Sequence, residues 1–403
     1  MQDNGYPGQF PYQPGPYQPG GPNQPRPRTW LWLLIITAIA LIVGVSVFGI
    51  FYFGVFGNNG GIGGGSPTTV PSTTGNGTLP PSGPCKINSP YGFTTIHADQ
   101  QLVGYYRQLN VCWVRYQFHW DKIETQPGVY NWAPVDAAVA TMNAAGIHVD
   151  FAIQYAPNWD LVQSCFGVPY LTGPTQMAQF ATIIATRYDG KHGHGKIDSY
   201  EIGNEEYDQH YTGDPITSEQ CRQASNYGPV LKAGYQAIKA VDPSVTVGMF
   251  GQWLRDIDHI NTFFTDLFAG GYGPYMDYLN FHFYNGGKDP SQSYGTAPSF
   301  NQWWQTIHQI ATKYGYANKP IWVTEVGWPA HTTIHPEEPV APDVQAQYLQ
   351  YIMDQAAQSN VIQKVFWFTI NYGNQGDNIY PPSGPLPAFF TYKSIVRQKP
   401  TWN

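Results

Sequence analysis

The chain has 403 residues, which at about 150 residues per domain suggests two or three domains, yet only 12% of them are charged, about half the share of an ordinary soluble domain. A net charge of −7 offers polyanions no attraction, and no basic stripe interleaved with aromatics occurs, so a nucleic-acid partner is excluded. Four cysteines without a Cys-x-x-Cys pair exclude both a disulfide-dense miniprotein and a structural zinc site of the usual spacing.

Residues 1–28 are rich in Pro, Gln and Gly and repeat Tyr12-Gln13-Pro14-Gly15 as Tyr17-Gln18-Pro19-Gly20. Prolines at this density remove backbone donors and leave no aliphatic core, so a disordered, solvated tail is expected. Residues 29–56 contain no charged side chain and have aromatics at both ends, from Trp30 to Phe53. Some 20 apolar residues span a hydrocarbon core of about 30 Å, so this segment is predicted to be one transmembrane helix. Arg26 and Arg28 precede it and no Lys or Arg follows until Lys86, which places the tail in the cytoplasm and the rest outside the cell membrane. Residues 57–84, almost all Gly, Ser, Thr, Pro and Asn, read as a flexible linker.

The remaining part, residues 85–403, alternates short β-branched runs with longer helical patterns, the signature of repeated βα units around a parallel sheet. Strands are predicted at Tyr91–His97, Cys112–Gln117, Ile147–Gln154, Lys196–Asn204, Val245–Phe250, Tyr278–Tyr284, Pro320–Glu325 and Val365–Ile370, and helices at Pro134–Ala145, Thr175–Tyr188, Tyr227–Val241, His259–Ala269, Phe300–Tyr314 and Pro342–Gln358. Eight strands in a segment of this length predict an α/β fold, a (β/α)8 barrel, in which ligands gather at the C-terminal strand ends. The fourth and seventh strands each end in a glutamate, Glu205 and Glu325. Two carboxyl groups facing across one barrel mouth are what glycoside hydrolysis requires: one protonates the leaving oxygen, the other attacks or activates water.

Asn204-Glu205 closing the fourth strand and Thr324-Glu325-Val326-Gly327-Trp328 on the seventh resemble clan A retaining glycoside hydrolases, and the likeness spans most of residues 88–400. Trp113-Val114-Arg115-Tyr116 followed by Trp120, then Ile123 to Trp132, is similar to the second-strand region of families 5, 39 and 42. Asn280-Phe281-His282-Phe283-Tyr284 looks like the clan's sixth strand, whose His and Tyr face the site. The stretch from Glu325 to Pro329 is also similar to family 17 glucanases, whereas the second-strand region is not.

By this resemblance Glu205 is the general acid/base, Glu325 the nucleophile, and the substrate a β-linked oligo- or polysaccharide cleaved with retention. Asn204 is expected at the sugar 2-hydroxyl, Arg115 and Tyr284 beside the nucleophile, and His282 in the site lining without a proton-transfer role. Trp120, Tyr155, Trp159, Trp328 and Trp367 are candidate sugar-stacking walls, since aromatic rings bind the C–H faces of sugars. Glu206 adjoins the acid but lacks the preceding Asn, and Glu201, in phase with Glu205, is expected to point down the barrel and pair with a base or a hydroxyl. His192-Gly193-His194 reads as a solvated loop, and the chemistry is expected to need no metal or cofactor. Cys85 and Cys112 precede the first two strands, while Cys165 and Cys221 follow the third and fourth, so two disulfides at opposite rims are expected. The rival reading is a sugar-binding barrel without turnover.

Overall fold

The computed structural model describes residues 85–165, 168–205, 223–252, 256–330, 339–371 and 376–402, and the predicted tail, span and linker lie outside that set. Among the described residues no helix is long and apolar enough to cross a membrane.

Eight parallel strands, β1 (Tyr91–Thr95), β2 (Trp113–His119), β3 (His148–Gln154), β4 (Ser199–Ile202), β5 (Thr246–Met249), β6 (Leu279–Phe283), β7 (Ile321–Val326) and β8 (Ile362–Trp367), follow one another around a ring. β8 pairs with β1, and an isolated parallel bridge from Gly248 to Tyr278 links β5 to the start of β6. A helix follows each strand: α1 (Gln100–Leu109), α2 (Ala133–Ala144), α3 (Pro174–Arg187), α4 (Ala224–Val241), α5 (Ile257–Ala269), α6 (Phe300–Lys313), α7 (Pro342–Ser359) and α8 (Pro387–Gln398). The expected (β/α)8 barrel is therefore the observed one. α1 and α8 are additions to the predicted helices, though both carry end signals: the Asp99 side chain caps α1 by accepting from the Leu102 N–H, and a proline opens α8.

Side chains along a strand alternate between two faces. Val114, Tyr116, Ile202, Phe281, Val323, Val365 and Trp367 point outward into the large core shared with the helices. The opposite phase fills the barrel. At its floor Trp113, Tyr278, Trp322 and Phe366 form a separate buried cluster with Cys112, and Cys85 packs against it. The Cys85–Cys112 disulfide closes this end, with Cα atoms 5.1 Å apart. The other expected pair involves Cys221, outside the described residues.

One irregularity matters for the site. Between β6 and β7 the pairing runs Phe281 to Val323 and then His282 to Glu325, so β7 holds one extra residue. Such a bulge breaks the period of two and re-aims a side chain. Thr324 and Glu325, adjacent in sequence, consequently both bond to groups inside the barrel.

Candidate active site

The barrel interior above the floor is polar and charged. Arg115 on β2, fully buried, is the hub: Nε and Nη2 donate to Glu201 Oε2 at 2.9 and 2.7 Å, Nη1 donates to Glu325 Oε1 at 2.7 Å, and Nη2 also reaches Asn204 Oδ1 at 2.6 Å. Burial alone would lower the guanidinium's pKa, but Glu201, Glu325 and Asp150 raise it above its ordinary value, so Arg115 is a permanent cation. Glu201 is buried inside the barrel and pairs with a base, as expected.

Glu325 sits at the C-terminal end of β7, buried, under three donors. Oε1 accepts from Arg115 and from Gln117 Nε2 at 2.5 Å, and Oε2 accepts from the Tyr284 hydroxyl at 2.8 Å. Burial, then the negative Glu325, pushes the Tyr284 hydroxyl well above its ordinary pKa, so it remains a donor. Gln117 is a site residue that no motif marks. It also donates to Asn204 Oδ1 at 3.3 Å, which together with Arg115 fixes the orientation of the Asn204 amide.

Glu205 leaves β4 in the left-handed region, at φ 49°, a conformation uncommon outside glycine. Its backbone N–H donates to the Gly251 carbonyl at 3.2 Å, which turns the side chain toward the barrel axis. Oε1 stands 2.5 Å from His282 Nδ1, and the side chain is 19% exposed where His282 is fully buried. Burial raises the Glu205 carboxyl to about 7, with Arg115 pulling the other way. Burial also lowers His282 to about 4 against the charge of Glu325, so its imidazole is neutral. Glu205, His282 and Glu325 each place one polar atom within 4.8 Å of the others. A carboxyl that keeps its proton near neutrality thus stands across a few ångströms from one held by three donors. The same trio has the donor types of a metal site, but both Glu325 oxygens and both His282 nitrogens already have protein partners.

Beside Arg115 on the neighbouring strand, Asp150 is fully buried, and among the described residues neither of its carboxyl oxygens nor Glu201 Oε1 receives a hydrogen bond. Burial and the neighbouring Glu201 charge push Asp150 well above the ordinary carboxylate range.

Three expected walls are corrected. Trp120 is buried against Phe180, ring centroids 4.2 Å apart, with its indole N–H donated to Glu124, so it fastens the β2 loop to α3. Trp328 is buried and donates to Asn285 Oδ1 and the Lys288 carbonyl. Trp367 is 0% exposed and packs outward against Trp328. The aromatic presented at the end of β8 is Phe368, partly exposed and edge-on to Tyr284 at 6.3 Å. Tyr155, at φ 54°, stacks on His119 at 3.9 Å, and Trp159 is 45% exposed beyond β3; both remain at the rim. His192 pairs with Asp189 and His194 with Asp136 and Arg187 in an exposed turn, as a solvated loop does. Glu206 lies outside the described residues.

A family model described as "Glycosyl hydrolase catalytic core" matches residues 128–383. No curated protein matches the chain. Among solved structures, a family 39 glycoside hydrolase from Bacteroides cellulosilyticus WH2 superposes with a TM-score of 0.59 at 18% identity, over 76% of this chain and 64% of that one. A glucosidase from Croceicoccus marinus gives 0.55 at 18% identity, over 76% and 66%, and xylanase 10B from Thermotoga maritima 0.53 at 12%, over 77% and 95%. The chain spans just under two thirds of the first two proteins' length. At these identities the superpositions show a shared barrel fold.

Proposed function

Because this chain belongs to the glycosyl hydrolase catalytic core family, we propose that it hydrolyses β-linked oligo- or polysaccharides with retention, using Glu325 as nucleophile and Glu205 as acid and then base. The observation that carries this reading is that the two carboxyl groups converge, with one oxygen of Glu205 and one of Glu325 within 4.8 Å of each other. Retaining enzymes place them about 5–5.5 Å apart, and inverting enzymes about 6.5–9.5 Å, to leave room for a water.

In the first step a Glu325 oxygen attacks the anomeric carbon while the bond to the leaving oxygen breaks and that oxygen takes the Glu205 proton. Oε1 carries two donors and Oε2 one, which favours Oε2 as the attacking atom. Esterification removes the negative charge of Glu325, so the Glu205 anion then takes a proton from water as the water oxygen attacks the anomeric carbon and expels Glu325. Asn204 binds the sugar 2-hydroxyl, and Phe368, Tyr155 and Trp159 provide stacking faces. The Gln252 amide is fully buried beside His282, has no partner among the described residues, and is suited to a sugar hydroxyl.

The same proposal places residues 1–28 in the cytoplasm, 29–56 across the cell membrane, and the barrel outside on the linker at 57–84. The charge asymmetry around the apolar stretch supports this, as does a disulfide, which persists in oxidising surroundings. The test is hydrolysis by the full chain in detergent of aryl β-glycosides and β-glucans, with the anomer of the first product read by NMR. A β product is expected; an α product, or no hydrolysis of any β-glycoside, contradicts the proposal. Protease shaving of intact cells that removes the barrel and spares residues 1–28 is the expected result for its placement.

A further inference from the structure

His282 touches Glu205, but its second nitrogen leads away from the substrate into the barrel wall, along a chain of bonds whose polarity can be worked out from the far end. Asn280 on β6 donates its Nδ2 to the Met249 carbonyl at 3.3 Å. The reversed amide would set its oxygen against that carbonyl, so Oδ1 faces the other way and meets the Thr324 hydroxyl at 2.9 Å. A carboxamide oxygen only accepts, so Thr324 donates to it. Its Oγ1 is left to accept, and His282 Nε2 lies 3.1 Å away. Nε2 therefore carries the imidazole proton and Nδ1 is bare. The competing acceptor, Glu325 Oε1, is 3.8 Å from Nε2, too far for a hydrogen bond. With Nδ1 bare, the 2.5 Å contact to Glu205 Oε1 holds only if Glu205 supplies the proton.

We propose that Thr324 and Asn280 are positioning residues that fix the His282 tautomer and thereby keep the proton on Glu205 until the leaving oxygen takes it. The inference rests on the acid role given to Glu205 above. Ionised Glu205 faces the lone pair of Nδ1 instead of an N–H, so the anion gains nothing from its neighbour and readily recovers a proton from water in the second step. Among the described residues, the charged and titratable groups around the pair are Arg115 from β2, Glu201 from β4, Glu325 from β7, and Tyr284 following β6. Of these only Arg115 favours the Glu205 anion, and burial outweighs it. Gly251 permits the arrangement sterically, since a Cβ there would collide with the His282 ring.

The test is the imidazole 15N spectrum of the full chain, selectively labelled at histidine, with His282 assigned by its absence from H282Q. Nε2–H with bare Nδ1 is expected from about pH 5 upward, above the range where a buried neutral imidazole charges. Nδ1–H or an imidazolium near neutrality overturns the proposal. In Thr324→Val the Nε2 acceptor is lost, Nδ1–H becomes populated and donates to the Glu205 anion. The alkaline limb of kcat/KM then moves down by about one pH unit, kcat falls and KM holds, while Thr324→Ser restores the limb. A Thr324→Val limb identical to that of the wild type also overturns it. The spectrum needs no turnover, so it decides the tautomer if the valine variant does not fold, and it separates this inference from a failure of the glycosidase reading.

Discussion

Arg115 and Lys364 are both buried inside the same barrel, one near its C-terminal rim and one at its floor, and their surroundings are opposite in kind. Arg115 is ringed by carboxylates, with 2.7 Å ion pairs to Glu201 and Glu325, and stays charged. Lys364 donates to the carbonyls of Ile87 and Ser89 and lies over the indoles of Trp113 and Trp322, at 4.3 and 5.2 Å. Burial lowers its amine to about 7, and the Asp150 carboxyl opposes that shift to the extent that it ionises. A guanidinium fork locks two acids in place, whereas a lysine amine can give up its charge to a dry pocket. The rim thus uses buried charge to orient a carboxylate, and the floor uses it to tie the segment before β1 to the sheet.

That contrast predicts activity losses at the rim and stability losses at the floor. Glu325→Ala should lower kcat/KM by about 10^4-fold or more, the scale of losing a nucleophile, with near-native melting; steady-state kinetics and calorimetry check both. Glu205→Gln should cost about 10²–10⁴-fold on substrates with poor leaving groups. The same variant should be more stable than the wild type above pH 7. The folded carboxyl at about 7 lies above its ordinary 4.5, so its contribution is present below 4.5 and lost as pH rises through 7. The difference amounts to about 3 kcal/mol by denaturant titration.

At the floor, replacing Cys85 and Cys112 by serine opens a loop of sequence separation 27 and should cost about 3.5 kcal/mol on the chain-entropy model, with kcat/KM unchanged. Lys364→Met sharpens the comparison through its pH slope. The wild-type amine at about 7 lies below its ordinary 10.5, so the unfolded chain binds more protons between these values and stability rises with pH there. Denaturant melts at stepped pH should show about 1.4 kcal/mol per unit in the wild type, lost in the methionine variant. The smallest effect belongs to Asp150→Asn, which mimics a protonated carboxyl in shape and charge; kcat/KM should stay within about threefold, and a loss as large as that of Glu205→Gln would show that Asp150 works as an anion.

The clan resemblance carried most of the site, through Arg115, Asn204, Glu205, Tyr284 and Glu325. The period of two placed Glu201 in phase with Glu205, and Gln117, two residues after Arg115, was legible by the same rule but has no motif around it. The tryptophans show how a position near a strand end can suggest a sugar wall that the packing does not provide. The predicted strand Val365–Ile370 begins three residues later than β8, and Trp367 sits on the outward phase; Phe368, in phase with Lys364 and Phe366, takes the inward position. Trp120 and Trp328 flank strand ends as a sugar wall would, and only packing against Phe180 and Trp367 distinguishes them from one. The bulge that brings Thr324 and Glu325 to one face violates the period itself, so the relay through Asn280, Thr324 and His282 is visible only in three dimensions.

The most direct test is to incubate the full chain with a 2-deoxy-2-fluoro β-glycoside bearing a good leaving group and to map the labelled peptide by mass spectrometry. The account predicts one fluoroglycosyl ester, on Glu325, whose formation persists in Glu205→Gln and vanishes in Glu325→Ala. An ester on another residue, or hydrolysis with inversion and no ester at all, would contradict it.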